Sequence, residues 1–180
     1  MSEFKHAMID IETLGNQSRS AISQISVVEF DLETGETGRE FDINVDIKDC
    51  VHQGLEMNVD TVMWWMKQSK EARAKFEETE RYSLDRSLEL LSNYISNSGI
   101  QNVWGNSARF DLGILSDAYN TVGREIPWDF RNELDVRTLV FFKPEVKDNC
   151  TFIGTPHDAI DDCKHQIRYC SLIWKLMNNG

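Results

Sequence analysis

Two carboxylates separated by one residue, Asp10 and Glu12, close a short apolar run, Ala7-Met8-Ile9. On an extended chain, side chains alternate with period two, so both acids face the same side. Facing carboxylates repel unless positive charge lies between them, and a divalent ion with oxygen ligands is the usual solution. Alone, such a pair is ordinarily a solvated surface feature. Here the apolar residues before it and the Gly15 turn after it place it at the tip of a buried strand. A second acid, Asp111, follows the loop Trp104-Gly105-Asn106-Ser107-Ala108-Arg109-Phe110, where a strand gives way to a helix. An acid at a helix start can also be a simple cap or a complement to the helix dipole. The third segment, Pro156-His157-Asp158-Ala159-Ile160-Asp161-Asp162, puts a histidine and three acids at the entrance to the last helix. Histidine titrates near pH 6.5 and suits proton transfer at neutral pH, although a loop histidine is more often an exposed one.

The elements that must carry these residues can be read from periodicity. Ala7 to Ile11 is a buried strand, and Ala21 to Phe30 and Phe41 to Val45 alternate apolar with polar residues around the turn Glu33-Thr34-Gly35-Glu36, giving three antiparallel strands. Asn58 and Asp60 are candidate caps for a helix through Val62-Met63-Trp64-Trp65-Met66, continued by charged helix formers from Lys70 to Glu80. Ser83 opens a helix with Leu84, Leu88, Leu91 and Ile95 on one stripe, stopped at Asn97-Ser98-Gly99. Ile100 to Trp104 is a central strand, and Phe110 to Val122 a helix ended by Gly123. The final helix repeats Ile160, Cys163, Ile167, Cys170, Trp174 and Met177 in steps of three and four. Strands followed by alternating helices and strands predict an α/β fold with a mixed sheet covered by helices, whose ligands gather at the carboxyl ends of strands.

Composition bounds the function classes. At 180 residues and 41% hydrophobic, the chain can bury one substantial core, and we read residues 1–180 as a single domain. No apolar run approaches the roughly 18 residues of a membrane span, and a signal peptide's pattern is missing, so we expect no membrane association and a cytoplasmic protein. Four cysteines without CxxC pairing, Cys50, Cys150, Cys163 and Cys170, predict reduced thiols, with Cys163 and Cys170 in a core. A net charge of −11 excludes a bulk electrostatic binder of nucleic acid. It leaves room for an enzyme whose carboxylates hold cations that meet a phosphate.

Taken together, Asp10-x-Glu12-Thr13, Phe110-Asp111 after the Asn106 loop, and His157-x-Ala159-x-x-Asp162 resemble the three motifs of the DEDDh, or DnaQ-like, exonucleases, in order and along nearly the whole chain. Within that family Ala7 to Gly15, Thr61-Val62-Met63-Trp64-Trp65 and Trp104-Gly105-Asn106 look most like the branch of phage exonuclease A and the Rv2179c-like exoribonucleases. The resemblance implies an RNase H-like fold: a mixed β-sheet, three antiparallel strands then parallel additions, flanked by helices. It implies 3'-5' removal of nucleoside monophosphates from single-stranded or 3'-tailed DNA or RNA ends. It further implies two divalent ions, Mg²⁺ or Mn²⁺, held by Asp10, Glu12, Asp111 and Asp162, with His157 as base. Thr13, Leu14 and Gly15 are then expected at the terminal sugar and base, with Asn106, Phe110 and a stacking Trp65 as further substrate contacts; a homodimer is a common assembly in such relatives.

Some choices stay open at this level. His157 and Asp162, five positions apart, stand roughly 140° around an ideal helix, so both aim at one point only if His157 lies in the entering loop. Asp161 is the rival to Asp162. Asp158 is a candidate cap, and an acid beside His157 is expected to raise its pKa. Arg109, Arg124, Arg131 and Arg137 are candidate phosphate contacts. The competing class is a non-catalytic RNase H-like module that binds nucleic acid or protein, which has no need for so many mutually repelling acids. A phosphatase reading of Asp10-Ile11-Glu12-Thr13 lacks the second aspartate it requires.

Overall fold

A computed structural model describes residues 4–178. Five strands, β1 (His6–Thr13), β2 (Ile22–Phe30), β3 (Thr37–Asn44), β4 (Asn102–Gly105) and β5 (Glu133–Asp135), form one sheet in the order β3-β2-β1-β4-β5. β1 to β3 are an antiparallel meander, and β4 and β5 add in parallel. Every residue of β2 is buried, polar Gln24, Ser26 and Glu29 included, because the strand lies inside the sheet with both faces covered. β3 begins four residues before the expected Phe41, since a turn in which Asp31 accepts from the amide and hydroxyl of Thr34 (2.6 and 2.9 Å) starts the pairing early.

Eight α-helices are present among the described residues: α1 (Ile47–His52), α2 (Val59–Trp65), α3 (Lys70–Ala74), α4 (Leu84–Ser96), α5 (Asp111–Val122), α6 (Val136–Phe141), α7 (Pro144–Asp148) and α8 (Ala159–Asn178). Asn58 and Ser83 cap α2 and α4 as their positions predict, and Gly123 ends α5 at φ 71°. The helix expected over Lys70 to Glu80 stops at Ala74, followed by a single 3-10 turn at Lys75–Glu77. Only Ala72 and Phe76 of this stretch turn inward, too few for a stripe, and Arg81 ties the chain back by donating to the carbonyls of Lys75 (2.6 Å) and Val45 (2.9 Å).

Period two divides the sheet's residues between two cores. Ala7, Ile9 and Ile11 of β1 pack with Leu84, Leu88, Leu112 and Leu115 of α4 and α5. Met8 packs with Val28, Phe30, Trp104 and the α8 residues Cys163, Ile167 and Cys170. Asp10 and Glu12 share the parity of Met8 and so look toward α8. Met177, expected on the buried stripe, is 43% exposed, because α8 outruns the sheet beneath it. The four cysteines are free thiols, with Cys163 and Cys170 buried. No helix among the described residues is long and apolar enough to cross a membrane.

Candidate active site

Glu12, opposite Gln24, is the last residue in regular register on β1; the ladder shifts directly after it, Thr13 pairs with Ile22, and the chain then leaves the sheet. Asp10 is buried at 8% exposure, and its Oδ1 accepts from Nε2 of Gln166 on α8 at 2.7 Å.

Asp111 reaches the same region from the start of α5. It is not a cap of that helix: its Oδ2 accepts from the amide of Ser107, in the loop before it, at 3.0 Å. A Cβ on Gly105 would stand 3.0 Å from Cβ of Asp111 and 3.1 Å from its Oδ2, so the glycine that ends β4 makes the space into which the acid folds. The other side of the loop is held by Asp135, whose Oδ2 accepts from the amide of Ala108 at 2.8 Å.

His157 lies in the loop entering α8, as the helical angle requires, at φ 66°. It is the one non-glycine residue of the described chain in the left-handed region. Its backbone N–H donates to Oδ2 of Asp162 at 2.8 Å, which fixes the turn. Asp161 accepts from the amide of Thr155 at 2.8 Å, whereas it is Asp162 that lies in one group with Glu12 and His157. Asp158 caps the helix through Ile160 (3.3 Å), meets Gln24 (3.3 Å), and pairs with Lys75 at 3.2 Å. Its charge is thereby answered, and the expectation that it raises His157 fails: burial lowers the pKa of the imidazole from its ordinary 6.5.

Oxygens of Glu12 and Asp162 and a ring nitrogen of His157 lie within 4.8 Å of one another. Asp10 and Asp111 fall outside that tightest group and join it electrostatically. Burial first, then the Asp111 and Asp162 charges, hold Asp10 well above the usual carboxylate range; for Glu12 the causes are burial and then Asp10, Asp162 and Asp111. Burial pushes Asp111 up to about 7 and Asp162 up to about 6. Four acids held where their charge is unfavourable, all oxygen donors, fit divalent cations such as Mg²⁺ or Mn²⁺ in chemistry and charge.

The expected substrate contacts divide. Trp65 is corrected: it is 5% exposed, its indole N–H donates to the carbonyl of Thr13 at 2.9 Å, and it packs with Leu14 and Ala72, so it braces the loop after Glu12 and forms part of a groove wall, with too little open surface for a stacking platform. Its neighbour Trp64, 41% exposed, stands edge-on to His157 with ring centroids 4.8 Å apart. The Thr13 hydroxyl is used internally, donating to the carbonyl of Gly15 at 2.6 Å. Gly15 admits a close approach by Ser20, whose Oγ would lie 2.5 Å from an added Cβ. Leu14 edges an open apolar groove of about 330 Å³ shared with Met57, Val62, Trp65, Met66 and Phe76. Phe110 and Arg109 line a separate cleft of about 520 Å³, of mixed polar and apolar character, with Asn16, Gln17, Ser107 and Ile114. Asn106 is half-buried, with its Oδ1 unpartnered among the described residues. Of the four arginines, Arg124 is bound to Asp85 (2.6 Å) and Arg131 to Asp129 (3.5 Å), while the Arg137 charge acts on Asp111. Sequence reasoning missed Gln24, Lys75, Asp135 and Gln166, single polar residues whose partners lie far along the chain.

A mixed sheet of this order, with acids at the end of β1 and the start of α5 and a histidine-acid turn opening α8, defines a 3'-5' exonuclease of the RNase H-like, DEDDh class. The profile of the 3'-5' exoribonuclease Rv2179c-like domain matches residues 5–174, and the chain belongs to that family. An exodeoxyribonuclease of Enterobacteria phage T4 is 27% identical over 195 residues, covering 89% of this chain and 85% of the phage protein. Among solved structures, the nuclease domain of 3'hExo, a DEDDh family member bound to rAMP, superposes with a TM-score of 0.68 at 13% identity, over 98% of this chain and 94% of that one. E. coli exonuclease I in complex with a dA16 oligonucleotide gives 0.72 at 15% identity, over 97% of this chain and 41% of that one, so this chain spans well under half of that enzyme's length. At such identities the two superpositions show a shared fold.

Proposed function

We propose that this exonuclease binds two divalent ions, Mg²⁺ or Mn²⁺, through Asp10, Glu12, Asp111 and Asp162, and removes nucleoside monophosphates one at a time from single-stranded 3' ends. The observation that carries the reading is the convergence of these four acids, from three separate stretches of chain, where burial raises the pKa of each and neighbouring acids of the set add to the rise at Asp10 and Glu12. When bound, a pair of such ions would supply positive charge to both the entering and the departing oxygen of the scissile phosphate.

The chain's own residues supply the rest. His157, kept neutral at pH 7 by its lowered pKa, takes a proton on a ring nitrogen from the attacking water. Trp64 holds the imidazole edge-on, and the Asp162 hydrogen bond to the His157 amide keeps the ring beside the acids. Leu14 and its apolar groove take the terminal base, and the cleft bordered by Phe110 and Arg109 takes the strand behind it, with Asn106 in the same loop. Activity on RNA and on DNA is proposed alike: the family description names an exoribonuclease and the phage relative is an exodeoxyribonuclease. Exposed Leu172 and Leu176 on α8 are the surface we assign to a homodimer, checked by light scattering.

The test offers 3'-tailed DNA and RNA, labelled at either end, to wild type and Asp10→Ala with Mg²⁺, Mn²⁺ or EDTA. We expect stepwise loss from the 3' end, abolished by EDTA and by the substitution. Turnover in EDTA overturns the reading, and binding without turnover in any metal favours a non-catalytic module.

A further inference from the structure

The buried face of α8 carries a polar residue to which no role has been given. Gln166 lies one turn beyond Asp162 and is 3% exposed, and its neighbours on that face, Cys163, Ile167 and Cys170, belong to the core under the sheet. Its Nε2 donates to Oδ1 of Asp10 at 2.7 Å. Its own Oε1 is buried and has no hydrogen-bond partner among the described residues. The amide cannot be turned over to relieve this, because Oε1 would then face a carboxylate oxygen, acceptor against acceptor. A buried carbonyl without a donor is a cost to the fold, and a methionine or leucine would fill the same space without it. Packing alone therefore does not account for glutamine here.

We propose that Gln166 is a positioning residue for the cation site: by occupying Oδ1 of Asp10 with a neutral donor, it fixes the rotation of that carboxylate and reserves Oδ2 for the ion. The neutrality matters. A lysine or arginine at this position would put a fixed cation against Asp10 in competition with the ion, and a glutamate would add a fifth repelling acid. Ligating carboxylates are commonly held by such outer hydrogen bonds, and losing one costs about 10–100-fold in metal affinity or activity.

This inference rests on the proposed cation site, and the experiment separates the two. Mn²⁺ binding to the metal-free full chain is titrated by calorimetry, alongside melting without metal and steady-state cleavage of a 3'-tailed oligonucleotide, for wild type, Gln166→Met, Gln166→Leu and Asp10→Ala. We expect both Gln166 variants to keep a cooperative melt, to bind Mn²⁺ about 10–100-fold more weakly and to lose kcat by a similar factor, with KM for the oligonucleotide unchanged. Wild-type Mn²⁺ affinity in both variants overturns the inference. So does loss of cooperative melting in both, which would make Gln166 a structural residue. If Asp10→Ala loses Mn²⁺ binding while the Gln166 variants keep it, only the positioning role falls; if Asp10→Ala binds Mn²⁺ and cleaves as wild type does, the cation site itself is wrong.

Discussion

The amide of His157 donates to Oδ2 of Asp162 at 2.8 Å, so the proposed base and the last acid of the cluster are set by one turn of chain. The turn holds His157 at φ 66°, a conformation that costs an ordinary L residue roughly 1–2 kcal/mol but that asparagine adopts more readily. In His157→Asn the backbone bond to Asp162 therefore survives. We expect wild-type Mn²⁺ affinity and melting temperature with kcat reduced about 10²–10⁴-fold. Parallel loss of metal binding would mean that the imidazole is a ligand.

The acid cluster sets the pH dependence of the metal-free protein. Asp111 at about 7 and Asp162 at about 6 hold protons in the folded state that the unfolded chain has already released above its ordinary 3.8. Their contribution is fully present at pH below the unfolded value and is lost as pH rises through 6 and 7; Asp10 and Glu12 act in the same direction. His157, lowered, opposes them near 6.5 but is one group against four. Melting in EDTA should fall between about pH 4 and pH 7, and stabilisation by Mn²⁺ should grow over the same range as the ligands deprotonate. Scanning fluorimetry across pH, with and without metal, checks both slopes.

Lys75 pairs with Asp158, the residue next to His157. Because that carboxylate is paired at 3.2 Å, we expect the acid limb of the pH–rate profile below the ordinary histidine value in wild type and unmoved in Asp158→Asn. Lys75→Met frees the Asp158 charge to favour the imidazolium, which moves the limb to higher pH. An unmoved limb in Lys75→Met would mean that another group controls it.

The adjacent tryptophans should separate stability from activity. Trp65→Phe leaves the buried Thr13 carbonyl without its donor and should cost about 1–3 kcal/mol in denaturant unfolding. Trp64→Ala removes a half-exposed ring, should cost less, and should lower kcat by loosening His157. A Trp64 variant with wild-type kcat would detach that ring from the chemistry.

What was legible in the sequence follows physical range. Asp10 and Glu12 could be read because period two and the apolar run before them are local, and the helix ends at Asn58, Ser83 and Gly123 because caps are local too. β5 could not be read, being three half-buried residues that exist as a strand only by pairing with β4. The contact between Gln166 and Asp10 spans 156 positions, and that between Gln24 and Asp158 spans 134, distances over which spacing carries no signal. Trp65 was misjudged for the same reason: its partner, the Thr13 carbonyl, lies 52 residues away.

The most direct measurement is anomalous diffraction from crystals soaked in Mn²⁺ with a nucleoside monophosphate. The account predicts two manganese peaks about 3.5–4 Å apart, ligated between them by Asp10, Glu12, Asp111 and Asp162, with His157 unligated. No peak beside Asp10, or a single ion held by Glu12, His157 and Asp162 alone, would contradict it.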